Sequence, residues 1–411
     1  MKKYFSGVFA LCVVAILISS PAYALEISEK PEIIYEFQDE YFYKNIATDG
    51  NYILISELKS NKDQQNDLTS EFRWIGNFYL YDISDKTLRA IAGDSPVPGL
   101  AKILDGVVYY KSASKQNPTY YRYKPETISP EKLNIPTDRG SENFITDGTY
   151  FIVATGTSWP DNVILTLYNL QTGDSQKIPT LVNPDPDRFY LSGTDIIYQQ
   201  LRDAGNNLIY IYNITSGQTK TTGTQDNYQM LLGASENNIL YLWNEEATPQ
   251  DGKYQLNVQD IKTGKTTIIC DEPMYLAAAP ERKTMNYQMA QIWGSTILWP
   301  GTTYESDIRH SSTQLYGISL NENTEVQLLL KNFSGWEQIF SKDILTWIDT
   351  NDQTGTTTVY MTELIVSPTM EPLKPVSIAP SSTTAGSPIG MIIGTIAFVL
   401  ACVLAILWRK K

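Results

Sequence analysis

Apolar and polar residues alternate along most of this chain with the period of two that side chains follow in a β-strand. The pattern is clearest over residues 165–178, LTLYNLQTGDSQKI. Leu165, Leu167 and Asn169 point one way, and Thr166, Tyr168 and Leu170 the other. Thr172-Gly173 makes the turn, because glycine takes a positive φ without a clash. The same phrase returns at 209–221 and 256–268, with worn copies at 78–91 and 315–328. A single hairpin leaves its apolar face open to water, so repeated hairpins predict stacked copies.

Seven units follow one another between 45 and 367. Each opens on a small or polar turn and continues into an apolar strand. The turns are Asp49-Gly50, Asp105-Gly106, Asp147-Gly148, Ser192-Gly193, Asn237-Asn238, Gly294-Ser295 and Lys342-Asp343, spaced about 42–57 residues apart. That spacing suits a four-stranded blade with its loops. No stretch between the two apolar ends of the chain keeps a helical period. The prediction is an all-β fold, a β-propeller of seven four-stranded blades. The seventh unit supplies only three strands, at 336–340, 343–350 and 357–365. An orphan apolar run at 31–37, PEIIYEF, is predicted to be the fourth, which closes the ring and covers its open edge.

The two ends depart from this pattern. Residues 1–24 begin with Lys2-Lys3, pass through an apolar run and finish on Ala22-Tyr23-Ala24. That is the layout of a cleaved signal peptide, leaving a propeller at 25–367. Residues 368–388 mix five prolines with Ser and Thr and read as an extended linker. Residues 389–408 contain no charge. They are long enough to cross a bilayer core of about 30 Å as a transmembrane helix. Arg409-Lys410-Lys411 makes a cytoplasmic basic tail at 409–411. The expected placement is a single-pass, type I protein of the cell membrane with its propeller extracellular.

Charge changes the picture once these ends are set aside. Five of the 32 basic residues flank the apolar segments, which leaves 27 against 45 acidic ones, a formal charge of −18. Such a surface repels nucleic acid. Of the three cysteines, Cys12 and Cys402 lie in the apolar ends. Cys270 is left without an intrachain partner and reads as a small buried hydrophobe.

Candidate chemistry is sparse. His310 is the single histidine, so a Ser-His-Asp triad has to use it, and no Gly-x-Ser-x-Gly elbow is present. One His and one Cys cannot build a zinc site. No cofactor is expected, with calcium open at Asp349, Asn351 and Asp352 or at Asp185 and Asp187. Paired carboxylates for glycoside cleavage remain open, since acidic residues are plentiful. Asn213 and Asn332 head N-glycosylation triplets. Trp159, Asp161, Trp293, Trp299 and Tyr304 are candidates for a ligand face at the blade ends.

The units, a Asp-Gly-type turn and apolar strand followed by a phrase like LYNLQTG, resemble the repeats of TolB-type and WD40-like propellers. Such repeats are found in prokaryotic cell-surface proteins, and an archaeal source is expected here. The resemblance implies a propeller fold and a binding role, and it carries no functional residue onto this chain. Peptidases of the prolyl oligopeptidase type resemble it in their blades, but they carry their triad on a separate α/β domain. The expectation is a non-catalytic binding or scaffold protein, tethered through its C-terminal helix to the membrane and meeting a protein or glycan partner at the cell surface. Two alternatives stand beside it. One is a propeller hydrolase or lyase acting on envelope carbohydrate or peptide. The other is a structural surface-layer component. Acidic residues with Arg or Tyr converging on the central funnel mark an enzyme; Ser, Thr and aliphatic residues there oppose one.

Overall fold

The computed structural model describes residues 22–369 except 28–29, 38–42, 61–73, 92–95, 113–118, 128, 137–142, 157–162, 201–207, 224–225, 246–253, 272–282, 286–288, 305–310, 322–324, 332, 334–336 and 351–353. The chain divides into two units. Residues 25–321 with 326–365 form one. Residues 1–24, 322–325 and 366–411 form the other, of which only 22–24, 325 and 366–369 are described. The predicted signal peptide, linker, membrane span and tail therefore lie almost wholly outside the described residues. Among those described, no helix is long and apolar enough to cross a membrane.

Hydrogen bonding gathers the strands of the larger unit into seven antiparallel sheets. The first holds Tyr43–Thr48, Tyr52–Ser60, Trp74–Asp82 and Thr87–Ala90 in that order. Blades two to five repeat this up-and-down order. Blade six splits its first position between Lys283–Met285 and Gln291–Trp293. The first strand of each blade touches the first strand of the next all the way round, including Glu337–Ser341 of blade seven against Tyr43–Thr48 of blade one. The product is a closed, seven-bladed propeller whose first strands surround the axis.

Blade seven closes as expected. Glu32–Glu36 pairs with the long strand Thr357–Thr369, placing Ile33 opposite Tyr360 and Tyr35 opposite Val359. Ala22–Ile27 also pairs with that strand. The N-terminal segment thus supplies the outermost position of the last blade.

The buried apolar residues form seven clusters, and each lies between two successive blades. Phe151 and Val153 pack on Tyr109 and Tyr120 of blade two. Ile152 and Ala154, from the same strand, pack on Phe189, Ile196 and Tyr198 of blade four. Because both faces of a blade are covered, its second strand is apolar at consecutive positions, as in Ile53-Leu54-Ile55 and Ile239-Leu240-Tyr241-Leu242. Leu25, Phe333, Phe340 and Trp347 fill the gap between blades six and seven. Phe37, Val359 and Met361 meet Ile46, Ile53 and Ile55 across the closing seam.

Side-chain caps shape the turns. Asn169 accepts from the backbone N–H groups of Gln171 and Thr172 at 2.9 and 3.1 Å, and Gly173, at φ 77°, donates to the Asn169 carbonyl at 2.9 Å. Asn213 and Asp260 head the same construction before Gly217 and Gly264. The turn is thus wider than Thr172-Gly173, because an Asx cap sets where it begins. The turns between first and second strands also meet around the axis. Asp49 accepts from the Gly106 N–H of blade two at 2.6 Å. Gly50, at φ 83°, lies so close to blade seven that a Cβ there would stand 2.9 Å from the Ser341 carbonyl oxygen.

One polar group is sealed into the closing seam. Glu57 is fully buried, and its carboxylate accepts from the Tyr35 hydroxyl at 3.2 Å, the Tyr79 hydroxyl at 3.1 Å and the Asn77 amide at 3.1 Å. Tyr35 comes from the closing strand, so this carboxylate clasps blade seven to blade one. Burial first, then Tyr79 and the Glu57 charge, push the Tyr35 phenol well above its usual value.

Glu57→Ala removes the acceptor from three donors and is expected to cost about 2–4 kcal/mol in urea unfolding followed by tryptophan fluorescence. Gly50→Ala is expected to cost about 1–3 kcal/mol by the same measurement, because a side chain at positive φ is strained and here meets backbone.

Candidate functional site

First strands are the ones that can carry chemistry, since they alone face the axis. Six of the seven line an axial cavity of about 350 Å³. Leu104, Ile145, Leu191, Leu232, Ile292 and Ile339 make most of its wall. Lys102, Thr146, Tyr190, Gln291 and Trp293 supply the polar atoms, and no carboxylate is among the described residues that line it, so the acidic cluster expected of an enzyme funnel is absent from this lining and only its tyrosine is present. These residues sit just ahead of the tight turns at 105, 147, 193, 294 and 342, so the cavity lies toward the tight-turn end of the axis. The longer connections are at the opposite end, as an up-and-down blade requires.

Lys102 is exposed to solvent where it lines the cavity, with the first strands of neighbouring blades around it. Burial pushes its ammonium pKa below the usual lysine value. Its exposure to solvent limits the size of that shift.

Tyr190 and Arg188 lie two apart on Pro184–Ser192, on one side of the strand. The Tyr190 hydroxyl donates to the Leu232 carbonyl at 2.6 Å, and Arg188 donates to the Leu231 carbonyl at 3.0 Å. Both carbonyls belong to the first strand of blade five, where the register slips between Leu231 and Gly233. A bulge of this kind leaves backbone groups free of the ladder. Burial pushes the Tyr190 phenol up to about 12, with Arg188 opposing and Asp185 adding to the shift. Arg188 also meets Asp185 at 3.4 Å.

The structure separates the residues singled out in the sequence. Trp293 lines the cavity and is 36% exposed. Trp299 is corrected: it is 0% exposed and belongs to no face, because its side chain is buried between blades five and six, where it stacks on Tyr316. Trp159, Asp161, Asn332 and His310 fall outside the described residues, as does the Tyr304 side chain. Asn213 caps its turn, and its amide donates to Thr194 at 3.0 Å and Asp195 at 2.8 Å. Of the calcium candidates, Asp185 is engaged by the Asp187 N–H at 3.0 Å and by Arg188, while Asn351 and Asp352 are not described. No group of three His, Cys, Asp or Glu side chains that could hold a metal occurs among the described residues. Cys270 is half-buried against the core between blades five and six.

Lys102, Tyr190 and Gln291 were missed in the sequence. A signal existed: each stands three residues ahead of a tight turn, at Asp105, Gly193 and Gly294. It is weak, because the strands that carry these residues are less apolar than those that follow the turns.

No family model matches the chain, and no curated protein aligns with it in sequence. Solved structures do superpose on it. The β-propeller domain of the Trilobed protease from Pyrococcus furiosus matches at TM-score 0.54 and 12% identity, over 79% of this chain and 97% of that one. An acylaminoacyl peptidase from Pyrococcus horikoshii matches at 0.55 and 13%, over 80% of this chain and 53% of the peptidase, so the chain spans about half its length. An oligogalacturonate lyase solved with manganese matches at 0.51 and 13%, over 84% of this chain and 98% of the lyase. A TolB structure from Agrobacterium tumefaciens, at 0.42, is too distant to carry an argument. At these identities the shared feature is the fold. The propellers in question belong to enzymes, which counts against the expectation of a non-catalytic scaffold and favours its hydrolase or lyase alternative.

The Lys102 shift has a testable sign. Between its depressed folded value and the ordinary one of about 10.4, the unfolded chain holds more protons, so stability rises with pH across that window. Lys102→Met is expected to be more stable than the parent at pH 7, with the gain shrinking as pH climbs toward about 10.4. Urea unfolding over a pH series checks this.

Proposed function

We propose that this chain is a propeller lyase that cleaves an acidic polysaccharide outside the membrane, with its chemistry in the axial channel. The observation that carries the reading is a lysine amine and a tyrosine phenol brought into one cavity whose described lining has no carboxylate. That lining supports a lyase over a glycoside hydrolase. Glycoside hydrolysis uses a pair of carboxylates, and the described lining offers none. Elimination needs a base for the C–H beside a sugar carboxylate and an acid for the departing oxygen. An amine and a phenol fill those roles.

In this reading the neutral amine of Lys102 takes the proton on the carbon next to the substrate carboxylate. The electron pair left behind forms a carbon–carbon double bond. The bond to the glycosidic oxygen breaks, and that oxygen takes the Tyr190 proton. The new ammonium stabilises the charge that develops on the carboxylate. In the resting channel the Tyr190 proton points at the Leu232 carbonyl, so the substrate oxygen has to compete for it. The lowered pKa of Lys102 helps, since more of it is neutral near pH 7.

Manganese accompanies the lyase of similar fold. Here the lining offers an amine, a phenol, an amide and a hydroxyl, a poor donor set for that ion, and no step runs through a metal. The acidic exterior opposes a polyanionic substrate, but screening confines that repulsion to about 8 Å at physiological salt. The leader-like start and the uncharged run at 389–408 support placement at the cell envelope.

The test uses uronic-acid oligosaccharides and follows the ultraviolet absorbance of the conjugated product. Lys102→Met is expected to lower the rate by about 10²–10⁴, and Tyr190→Phe by at least about tenfold. The rate of the parent is expected to rise with pH through the lowered Lys102 value. Absence of unsaturated product from every uronide, or an unchanged rate in Lys102→Met, overturns the proposal.

A further inference from the structure

Trp293 stands apart from the other large apolar side chains. Trp299 and Trp347 are buried in the seams between blades. The exposed Ile33, Leu88, Ile268 and Leu328 lie on the outermost strands, at the rim. Trp293 is at the axis, where it lines the cavity together with Lys102 and Tyr190. Burying an indole removes roughly 150–250 Å² from water, so an open one at a cavity forgoes a large stabilisation.

The turn that carries it is tied down. The Gly294 N–H donates to the Ser235 hydroxyl of blade five at 2.7 Å, and the Asn238 amide donates to the Gly294 carbonyl at 3.5 Å. Gly294 has φ 57°, and Trp293 pairs with Thr296 across the turn. The indole therefore rises from backbone that is fixed to the neighbouring blade. A ligand pays little to order it.

We infer that Trp293 is the stacking platform of a saccharide subsite, on which a pyranose ring lies by its C–H face. A pyranose presents a flat apolar face and a polar edge. The cavity presents an aromatic plane with polar groups around it. Gln291, two residues earlier, projects on the same side of the strand, and Lys102 and Tyr190 belong to the same lining. The ring that stacks is one sugar of the chain, and Lys102 meets an acidic one. In naming the ligand as a saccharide, this inference rests on the lyase reading.

The experiment measures calorimetric binding of uronic-acid oligosaccharides to the whole protein, with elimination followed on the same samples. Trp293→Ala is expected to weaken binding about tenfold or more, and Trp293→Phe less, with urea midpoints close to the parent. The parent is expected to lose tryptophan fluorescence contrast on binding relative to Trp293→Phe. If the parent binds through Trp293 yet forms no unsaturated product, the platform stands and the lyase reading falls. If Trp293→Ala binds and turns over like the parent, the platform falls and the lyase reading stands. Absence of saccharide binding to the parent overturns the platform.

Discussion

No blade of this protein has a core of its own. The seven apolar clusters all lie between blades, so every sheet depends on two neighbours to keep both of its faces from water. A row of such sheets has two bare ends. The ring removes them, and the closing seam is where the chain adds a strand from its other end, a glycine that admits close backbone contact, and a buried carboxylate with three donors. Those devices do not recur together elsewhere among the described residues. They mark the seam as the place where non-local contact must offset the entropy of joining distant parts of the chain.

The same constraint divides labour among the strands. Second strands are squeezed on both faces and are apolar over most of their length, with a few buried polar residues such as Glu57 and Gln199 held by hydrogen bonds. First strands pack on each other around the axis but leave one side to the channel. That side is released from packing duty and can hold an amine, a phenol and an indole without loss to the core. Low polarity in the channel then alters what these groups do. An ammonium and a phenolate are both disfavoured there, which turns Lys102 toward a base and keeps Tyr190 a proton donor.

Charge is partitioned in the same way. Acidic residues dominate the sequence, yet the described channel lining includes a lysine and no carboxylate. The exterior charge suits solubility, while the described lining of the axis carries no negative charge to repel an anion. The division explains why net charge alone pointed away from a polyanionic ligand: it averages over a surface that the ligand leaves behind on entering the channel.

Much of the architecture was legible in the residues. Period-two alternation, the repeated turn phrases and the apolar second strands depend on local rules of strand and turn, and they led to seven blades and to closure by residues 31–37. Trp293 was legible as a candidate, but nothing in its own neighbourhood distinguished it from Trp299, which lies in an equally aromatic stretch. Only packing against blade five sends one into the core and leaves the other at the axis. Lys102 and Tyr190 are 88 positions apart in sequence. That they line one cavity is set by the curvature of the whole ring, a property to which no single repeat holds the information. The sequence by itself determined which segments become strands, because that is decided between near neighbours. The tertiary structure alone decided which side chains share the channel, because that depends on how many blades close the circle and which face of each first strand turns inward.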